Sequence, residues 1–363
     1  MTPLLRLDEV SVTIPADGTR RRVVTDITLD VAPGEALGVV GESGSGKSMT
    51  ARTVMGLLPR GSTVAGTVRF DGHDLPPAGS GNRAQRARTV TARRDIGMIF
   101  QDARAHLDPR QRVGDFMTET GASARAAAEL LDRVGIDDPL RRMRDRPHQL
   151  SGGMLQRVMI ASVLLARPRL ILADEPTTAL DVTTQADVVS LLDELRREDG
   201  TALVFITHDL DLAAAFCDRV AVMYAGCLQE VRGADLLLTA PLHPYTRGLL
   251  ASRPGGRTRA ARLPVIPGRP LSAFEAPPGC AFATRCAHVV DRCRETRPSL
   301  TARHGGLVRC DRVAELDTGP GAGAGYDTGP GAGPGRETGT ASGVVAGSGS
   351  GSGTGTGSAE ATR

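Results

Sequence analysis

The sequence predicts an α/β fold built around a mainly parallel sheet, and three observations lead to this prediction. An apolar run at residues 36–40 is followed by a glycine-rich segment and then by a helical pattern at 49–58. Between residues 170 and 224, short apolar runs alternate with amphipathic helical patterns, as in sheets whose strands are joined by helices. The chain has 363 residues, 40% of them hydrophobic and only 3% aromatic, so a large and mostly aliphatic core is expected.

The remaining elements follow from local patterns along the chain. Strands are expected at 4–14, 23–31, 66–70, 96–100, 170–173, 202–207 and 219–224. Helices are expected at 123–134, 153–166 and 182–198, where apolar residues recur on one helical face. The polar, arginine-rich stretch at 76–94 is predicted to be a surface excursion, and the Pro/Arg-rich stretch at 252–279 a linker or strap. The low-complexity tail from 315 to 363 is predicted to be disordered.

The glycine-rich segment is predicted to bind nucleotide phosphates. It reads Gly41, Glu42, Ser43, Gly44, Ser45, Gly46, Lys47, Ser48, which matches the pattern G-x-x-x-x-G-K-[ST] between a strand and a helix. The chain has 44 Lys plus Arg residues, and Lys47 is its only lysine. An ammonium is a compact point charge and a guanidinium is a planar fork, so the single exception to arginine marks a position where the shape of the cation matters.

Two further segments carry matching chemistry. The apolar run at 170–173 ends in Asp174 and Glu175, placed to hold Mg²⁺ and to polarise an attacking water. Ser151, Gly152 and Gly153 precede a helix and offer a hydroxyl and free amides, which together favour an anion. A second phosphate site without its own nucleotide suggests that it serves the nucleotide of another subunit.

The composition excludes several classes. A net charge of +3 is too balanced to indicate a nucleic-acid partner, and none is predicted. No apolar run approaches the length of a membrane span, and the first residues lack a signal-peptide pattern. We therefore expect the chain to stay in the cytosol, where its six cysteines are not expected to form disulfides.

Together these motifs resemble the ATP-binding subunits of ABC transporters. Residues 41–48 match the Walker A loop, Gln101 the Q-loop, 150–154 the signature, and Asp174 with Glu175 the Walker B pair. Residues 179–181 match the D-loop, and His208 matches the switch histidine. The segments 98–102, 153–157 and 243–247 are similar to the dipeptide/oligopeptide permease subfamily, which includes nickel importers, and Met154 favours its D-type subunit.

The resemblance implies a P-loop NTPase of ABC type with an N-terminal antiparallel β subdomain and a helical signature subdomain at about 103–166. The ATPase domain would span 1–252, followed by a small Cys-rich extension at 253–314. ATP and Mg²⁺ are the implied cofactors. Ser48, Gln101 and Asp174 would hold the metal, Glu175 would be the general base, and His208 would contact the γ-phosphate. Ser151, Gly152 and Gly153 would contact the ATP of a partner.

The implied partners are a second ATPase subunit, forming a heterodimer, and two membrane permease subunits, with an external solute-binding protein acting indirectly. The chain would lie peripherally on the cytoplasmic face of the cell membrane. Nickel or another small solute is the alternative cargo to peptides. A non-transport ABC ATPase is a weaker alternative, because the chain lacks both the heptads of DNA-repair types and the second P-loop of ribosomal types.

One position departs from the family pattern, and one cysteine-rich segment raises the question of a bound metal. Family members stack an aromatic side chain on adenine near the end of the first strand, where this chain has Ile14. Four cysteines fall in one short segment, Cys280, Cys286, Cys293 and Cys310, with gaps of five, six and sixteen residues. This spacing alone leaves an iron–sulfur cluster, zinc and unligated thiols open. The segment resembles the subfamily's cluster-binding extension, which favours a [4Fe–4S] cluster.

Overall fold

The computed structural model describes residues 2–77, 83–177, 182–253 and 264–316. The predicted D-loop at 179–181 lies outside these ranges, as does the predicted tail beyond residue 316. Within these ranges the chain forms a four-stranded sheet, an eight-stranded sheet and a helical layer.

The elements, numbered in chain order, alternate in the way the sequence predicts. The strands are β1 Leu5–Ala16, β2 Thr19–Val31, β3 Ala36–Val40, β4 Thr63–Phe70, β5 His73–Asp74, β6 Ile96–Ile99, β7 Leu170–Asp174, β8 Ala202–Thr207, β9 Arg219–Tyr224, β10 Cys227–Gly233, β11 Thr301–Arg303 and β12 Gly306–Val308. The α-helices are α1 Lys47–Met55, α2 Arg83–Arg94, α3 Val113–Thr118, α4 Ala124–Arg133, α5 Pro139–Arg142, α6 Gly152–Leu165, α7 Val182–Asp199, α8 Leu210–Phe216, α9 Ala234–Thr239, α10 Pro244–Ala251, α11 Asp291–Glu295 and α12 Val313–Leu316. Short 3₁₀ helices lie at Pro147–Gln149 and Ala273–Glu275.

A four-stranded antiparallel sheet, in the order β2-β1-β4-β5, forms the N-terminal layer. The β1–β2 hairpin closes where Ala16 pairs with Thr19. Its two turn residues, Asp17 and Gly18, both have positive φ, at 48° and 72°. This is the combination of a two-residue type I′ turn, whose twist matches that of the flanking strands. The hairpin places Ile14 opposite Arg21, on the same face of the sheet.

The second sheet has eight strands in the order β11-β12-β10-β9-β3-β8-β7-β6. The pairs β9–β3, β3–β8, β8–β7 and β7–β6 are all parallel. Strands β3, β7 and β8 are buried along their whole length, which explains why they appear in the sequence as continuous apolar runs rather than alternating ones. Parallel strands all end at the same edge of the sheet, so this order decides which loops meet.

The helical layer lies between β6 and β7 in the chain. Helix α4 begins at Ser123, whose hydroxyl accepts a hydrogen bond from the Ala126 amide, and its Ala127 and Leu131 are fully buried. Helix α6 begins in the same way at Ser151 and buries Leu155 and Val158 in the same core cluster. The α/β fold with an antiparallel layer and a helical layer is therefore confirmed.

Two regions differ from the sequence-based picture. Helix α2 lies in the stretch predicted to be only a surface excursion, where the low apolar content hid the helical pattern. At the C-terminal end, β12 pairs with β10, with Glu230 opposite Val308, and β11 extends the same sheet. The C-terminal segment thus contributes two strands, β11 and β12, that the sequence patterns did not predict.

Candidate functional site

The candidate site lies at the carboxyl edge of the parallel sheet. The glycine-rich loop follows β3, His208 follows β8, Asp174 ends β7 and precedes Glu175, and Gln101 comes two residues after β6. These four strands are neighbours in the order β3-β8-β7-β6, so their ends meet. The structure therefore brings together residues from four segments of the chain that the sequence identified one by one.

The backbone of the loop at 41–46 requires glycine at two positions. Gly46 has a φ of 97°, and a Cβ placed on it would lie 2.8 Å from the Val23 carbonyl oxygen. A Cβ on Gly41 would lie 2.1 Å from the carbonyl oxygen of Met223. The loop is thus packed against β2 and β9 so closely that neither position has room for a side chain. Its amides follow directly into α1, which begins at Lys47.

Lys47 is buried inside this loop, with 5% of its surface exposed. Its Nζ donates hydrogen bonds to the carbonyl oxygens of Gly41, at 2.7 Å, and Glu42, at 3.0 Å. Burial lowers the pKa of Lys47, while the nearby carboxylates of Glu175 and Asp174 oppose that shift. The ammonium therefore sits at the centre of the loop, with one of its three N–H donors left for a ligand.

Ser48 and Asp174 form the pair suited to a divalent cation. The Ser48 hydroxyl donates to Asp174 Oδ1 at 2.7 Å, although the two residues are 126 positions apart. Asp174 is 1% exposed, and burial raises its pKa, an effect that the Ser48 hydrogen bond opposes. A hydroxyl and a carboxylate oxygen held together are hard ligands of the kind that Mg²⁺ prefers. The residues present therefore fit this ion.

Glu175 is the meeting point of two further side chains, those of Gln101 and His208. Gln101 Nε2 donates to Glu175 Oε2 at 3.0 Å, and His208 Nδ1 lies 3.6 Å from the same oxygen. Glu175 has a φ of 47°, which is uncommon for a residue with a side chain, and its amide donates to the Ile206 carbonyl oxygen at 2.9 Å. This backbone conformation turns the carboxylate away from β7 and toward Gln101 and His208.

The predicted signature segment lies in the helical layer. Ser151 is exposed, and its hydroxyl accepts from the Met154 amide while Gly152 and Gly153 form the first turn of α6. The same helix reaches the site from its other side, because Gln156 Nε2 donates to the Phe100 carbonyl oxygen at 3.0 Å, next to Gln101. Helix α6 thus links the exposed signature to the Q-loop position.

The four cysteines of the C-terminal segment line one small cavity of about 20 Å³. Among the described residues, no three His, Cys, Asp or Glu side chains are arranged as metal ligands. Burial raises the pKa of Cys280 to about 12 and that of Cys310 to about 11. The donor set fits a thiolate-ligated centre, whereas the present volume corresponds to about one water molecule, so ligand binding would require the side chains to move apart.

Sequence reasoning missed three residues that touch the phosphate loop from the C-terminal half of the chain. These are Tyr245, Ala273 and Arg285, which contact the loop residues Glu42 and Gly44. The segment around Tyr245 stood out only as a subfamily resemblance. Residues about 200 positions apart give no local signal that they meet.

Comparison with known proteins agrees with this geometry. Residues 24–178 match the ABC transporter family, and residues 230–293 match the family described as oligopeptide/dipeptide transporter, C-terminal region. The oligopeptide transport ATP-binding protein OppD of Salmonella typhimurium is 41% identical over 321 residues, which cover 86% of this chain and 94% of that protein. OppD of Haemophilus influenzae is 40% identical over 324 residues, covering 87% and 99%.

A solved structure supports the same assignment. The ATP-binding cassette MJ0796, a dimer in a post-hydrolysis state with ADP and Pi, is 28% identical, with a TM-score of 0.55. The match covers 63% of this chain and 98% of the cassette. The match to the OppD proteins spans nearly their whole length. The chain belongs to the ABC transporter ATP-binding proteins that carry the oligopeptide/dipeptide transporter C-terminal region.

Proposed function

We propose that this chain is the ATP-hydrolysing subunit of a membrane importer of di- and oligopeptides. The observation that carries the proposal is the meeting of the phosphate loop, Gln101, Asp174, Glu175 and His208 at one sheet edge. The C-terminal family match and the names of the OppD relatives support peptides as the cargo.

The residues divide the chemistry among them. The loop amides and Lys47 bind the phosphates. Ser48, Asp174 and Gln101 would hold Mg²⁺, which would neutralise charge on the phosphate oxygens. Glu175 accepts the proton of the water that attacks the γ-phosphorus, so that the bond to ADP breaks and inorganic phosphate is released. His208, beside Glu175, contacts the γ-phosphate.

A second ATPase subunit completes the site. The exposed Ser151, with Gly152 and Gly153, is free of the chain's own phosphate loop and offers its hydroxyl and amides to a nucleotide bound by a partner. The related cassette MJ0796 is dimeric, which supports pairing with a second ATPase subunit. We propose that this pair is head-to-tail and heterodimeric. The region after Gln101 contacts two permease subunits, which places the chain peripherally at the cytoplasmic face of the cell membrane. In the described ranges, none of the helices combines the length and apolar character of a membrane span.

Transport by the assembled complex tests the function. The chain is expressed with the permease, second ATPase and binding-protein genes adjacent to its own, and the complex is placed in vesicles. We expect ATP-dependent uptake of a labelled tripeptide, which Glu175→Gln abolishes without disassembling the complex. Uptake of nickel but not peptide would move the assignment to the alternative cargo, and the absence of any ATP-dependent uptake would contradict the importer.

We also propose that Cys280, Cys286, Cys293 and Cys310 hold a [4Fe–4S] cluster with a structural role. Their convergence on one cavity from positions up to 30 residues apart supports the proposal. A cluster would tie together a segment with little apolar surface of its own. Anaerobically purified protein should contain iron and acid-labile sulfide, and Cys286→Ser should lose both. Cys217→Ser, at a buried cysteine outside the cavity, should keep them. Stoichiometric zinc, or no metal, would overturn this assignment.

A further inference from the structure

Three hydrogen bonds connect residues beyond β10 to the phosphate loop. Arg285 Nη1 donates to Glu42 Oε2 at 2.7 Å, and the Glu42 amide donates to the Tyr245 hydroxyl at 3.2 Å. The Ala273 amide donates to the Gly44 carbonyl oxygen at 3.1 Å. The three residues that bind the loop lie in three separate segments beyond β10. The loop is therefore held by residues outside β3 and α1, the two elements that it connects.

Arg285 is itself fixed in place. Its side chain is 5% exposed, and Nε donates to the Pro267 carbonyl oxygen at 2.9 Å. Nη2 donates to the Ile266 carbonyl oxygen at 3.4 Å, and Nη1 also reaches the Tyr224 hydroxyl at 3.4 Å. A buried guanidinium with its donors used in several directions has little freedom to move. It can therefore define the position of the carboxylate that it binds.

That carboxylate belongs to the residue that also holds the catalytic-site lysine. The Glu42 carbonyl oxygen accepts from Lys47 Nζ at 3.0 Å, while the Glu42 side chain and amide are bound by Arg285 and Tyr245. Glu42 thus connects two cations of the molecule: its carboxylate contacts Arg285 and its main chain contacts Lys47. A shift of the Glu42 side chain would be transmitted to the ammonium through a single residue.

The charge of Glu42 adds a second effect. Its carboxylate lies in a loop whose amides and ammonium attract a polyphosphate, and an unpaired negative charge there would repel that ligand. Arg285 neutralises this carboxylate at a distance of 2.7 Å. Without the guanidinium, the partly buried Glu42 carboxylate would either rotate toward water or repel the polyphosphate bound in the loop.

We propose that Arg285 is a positioning residue of the nucleotide site: it holds and neutralises Glu42, and thereby sets the position of Lys47 and the affinity of the loop for ATP. The inference rests on the proposed role of residues 41–48 as the ATP site. It makes the C-terminal segment a functional part of that site, in addition to whatever the segment does at its cysteine cavity.

A double-mutant cycle in the full-length protein tests the proposal. The Kd for Mg-ATP is measured by calorimetry for the wild type, Arg285→Gln, Glu42→Gln and the double variant, with thermal unfolding followed in parallel. We expect Arg285→Gln to weaken ATP binding by about 10-fold to 100-fold, the effect of losing a hydrogen bond between charged groups. Because Glu42→Gln removes the unpaired charge, the double variant should recover to within about threefold of the wild type.

The matched control is Arg292→Gln, also beyond β10. Arg292 forms an ion pair with Glu315, its side chain is 54% exposed, and this pair joins two parts of the C-terminal segment to each other rather than to residues 41–48. It should leave the Kd within about twofold. A purely structural role of Arg285 would lower thermal stability without rescue by Glu42→Gln, and that result would overturn the proposal.

Two further outcomes are distinguishable. If Arg285→Gln does not fold, Arg285→Lys keeps the charge and loses the fork, and the proposal requires it to bind ATP more weakly than the wild type does. An unchanged Kd in a folded Arg285 variant refutes the inference. If the wild-type protein itself does not bind Mg-ATP, or Lys47→Met binds it equally well, the proposed ATP site fails rather than the role of Arg285.

Discussion

Replacing Lys47 by arginine tests whether the shape of the cation, and not only its charge, is required. The Lys47 ammonium is 5% exposed and contacts two carbonyl oxygens, at 2.7 and 3.0 Å. Arginine places Cζ near the position of Nζ, so its two terminal nitrogens would extend into those carbonyl groups. The tight packing of the loop at Gly41 and Gly46 leaves no room for it to widen.

The size of the effect follows from counting donors. A guanidinium has five N–H donors, of which two would meet the Gly41 and Glu42 carbonyl oxygens and one would meet a phosphate, as in lysine. Two donors would remain buried without partners, at a cost of about 1–3 kcal/mol each. We count this cost against binding because water can reach these donors before a nucleotide binds and a bound phosphate covers them. The sum of about 2–6 kcal/mol then corresponds to a loss of about 30-fold to 2 × 10⁴-fold in affinity for ATP.

The assay compares Lys47→Arg with Lys47→Met, using the Kd for Mg-ATP and the turnover of the assembled transporter. The methionine variant removes the charge while keeping a flexible side chain, so it separates charge from shape. We expect both variants to fold, as judged by thermal unfolding, and Lys47→Arg to bind ATP almost as poorly as Lys47→Met. If Lys47→Arg instead keeps near wild-type affinity and turnover, the shape argument is wrong.

Three other predictions concern separate parts of the site. Glu175→Gln should keep ATP affinity and lower turnover by about 10²–10⁴-fold, giving an ATP-bound closed pair; unchanged turnover would assign the base to another residue. Ile14→Tyr should lower the KM for ATP, because aromatic stacking contributes about 1–3 kcal/mol per base; an unchanged KM would indicate that Arg21, its cross-strand partner, already covers the base. Gly46→Ala should destabilise the fold by about 1–3 kcal/mol and weaken ATP binding, because its Cβ would lie 2.8 Å from a carbonyl oxygen of β2. Gly18→Ala, which also has positive φ but open space around it, separates this clash from backbone strain, and equal loss in the two variants would contradict the packing argument.

Much of the site could be predicted from the sequence because its residues lie at the ends of strands. Asp174 ends a fully buried strand, and the loop at 41–46 follows another. Both positions can therefore be found in the sequence as the ends of continuous apolar runs. Parallel pairing then brings such ends to one edge without any knowledge of detailed packing. Gln101 and His208 are identified through the resemblance to the ABC family, and the structure has both side chains next to Glu175.

The remaining features depend on contacts between distant segments, which local patterns do not encode. Strand β12 has three residues and is recognisable only through its pairing with β10. The bond between Arg285 and Glu42 joins positions 243 apart. Helix α2 is polar enough to resemble a loop, since a helix is identified in a sequence mainly by its buried face.

Two buried cations of this chain, Arg309 and Lys47, show why arginine and lysine are not interchangeable. The buried Arg309 donates from Nε, Nη1 and Nη2 to the carbonyl oxygens of Leu228, Pro298 and Asp26, which belong to three separate segments. A lysine there would place one nitrogen where three diverging acceptors each need a donor. At Lys47 the situation is reversed. Two carbonyl oxygens converge on the single Nζ atom, and that atom must also have a donor left for the bound ligand. In a chain that otherwise uses arginine, lysine is present at the position where a guanidinium group would be too wide and would have more N–H donors than the site can pair.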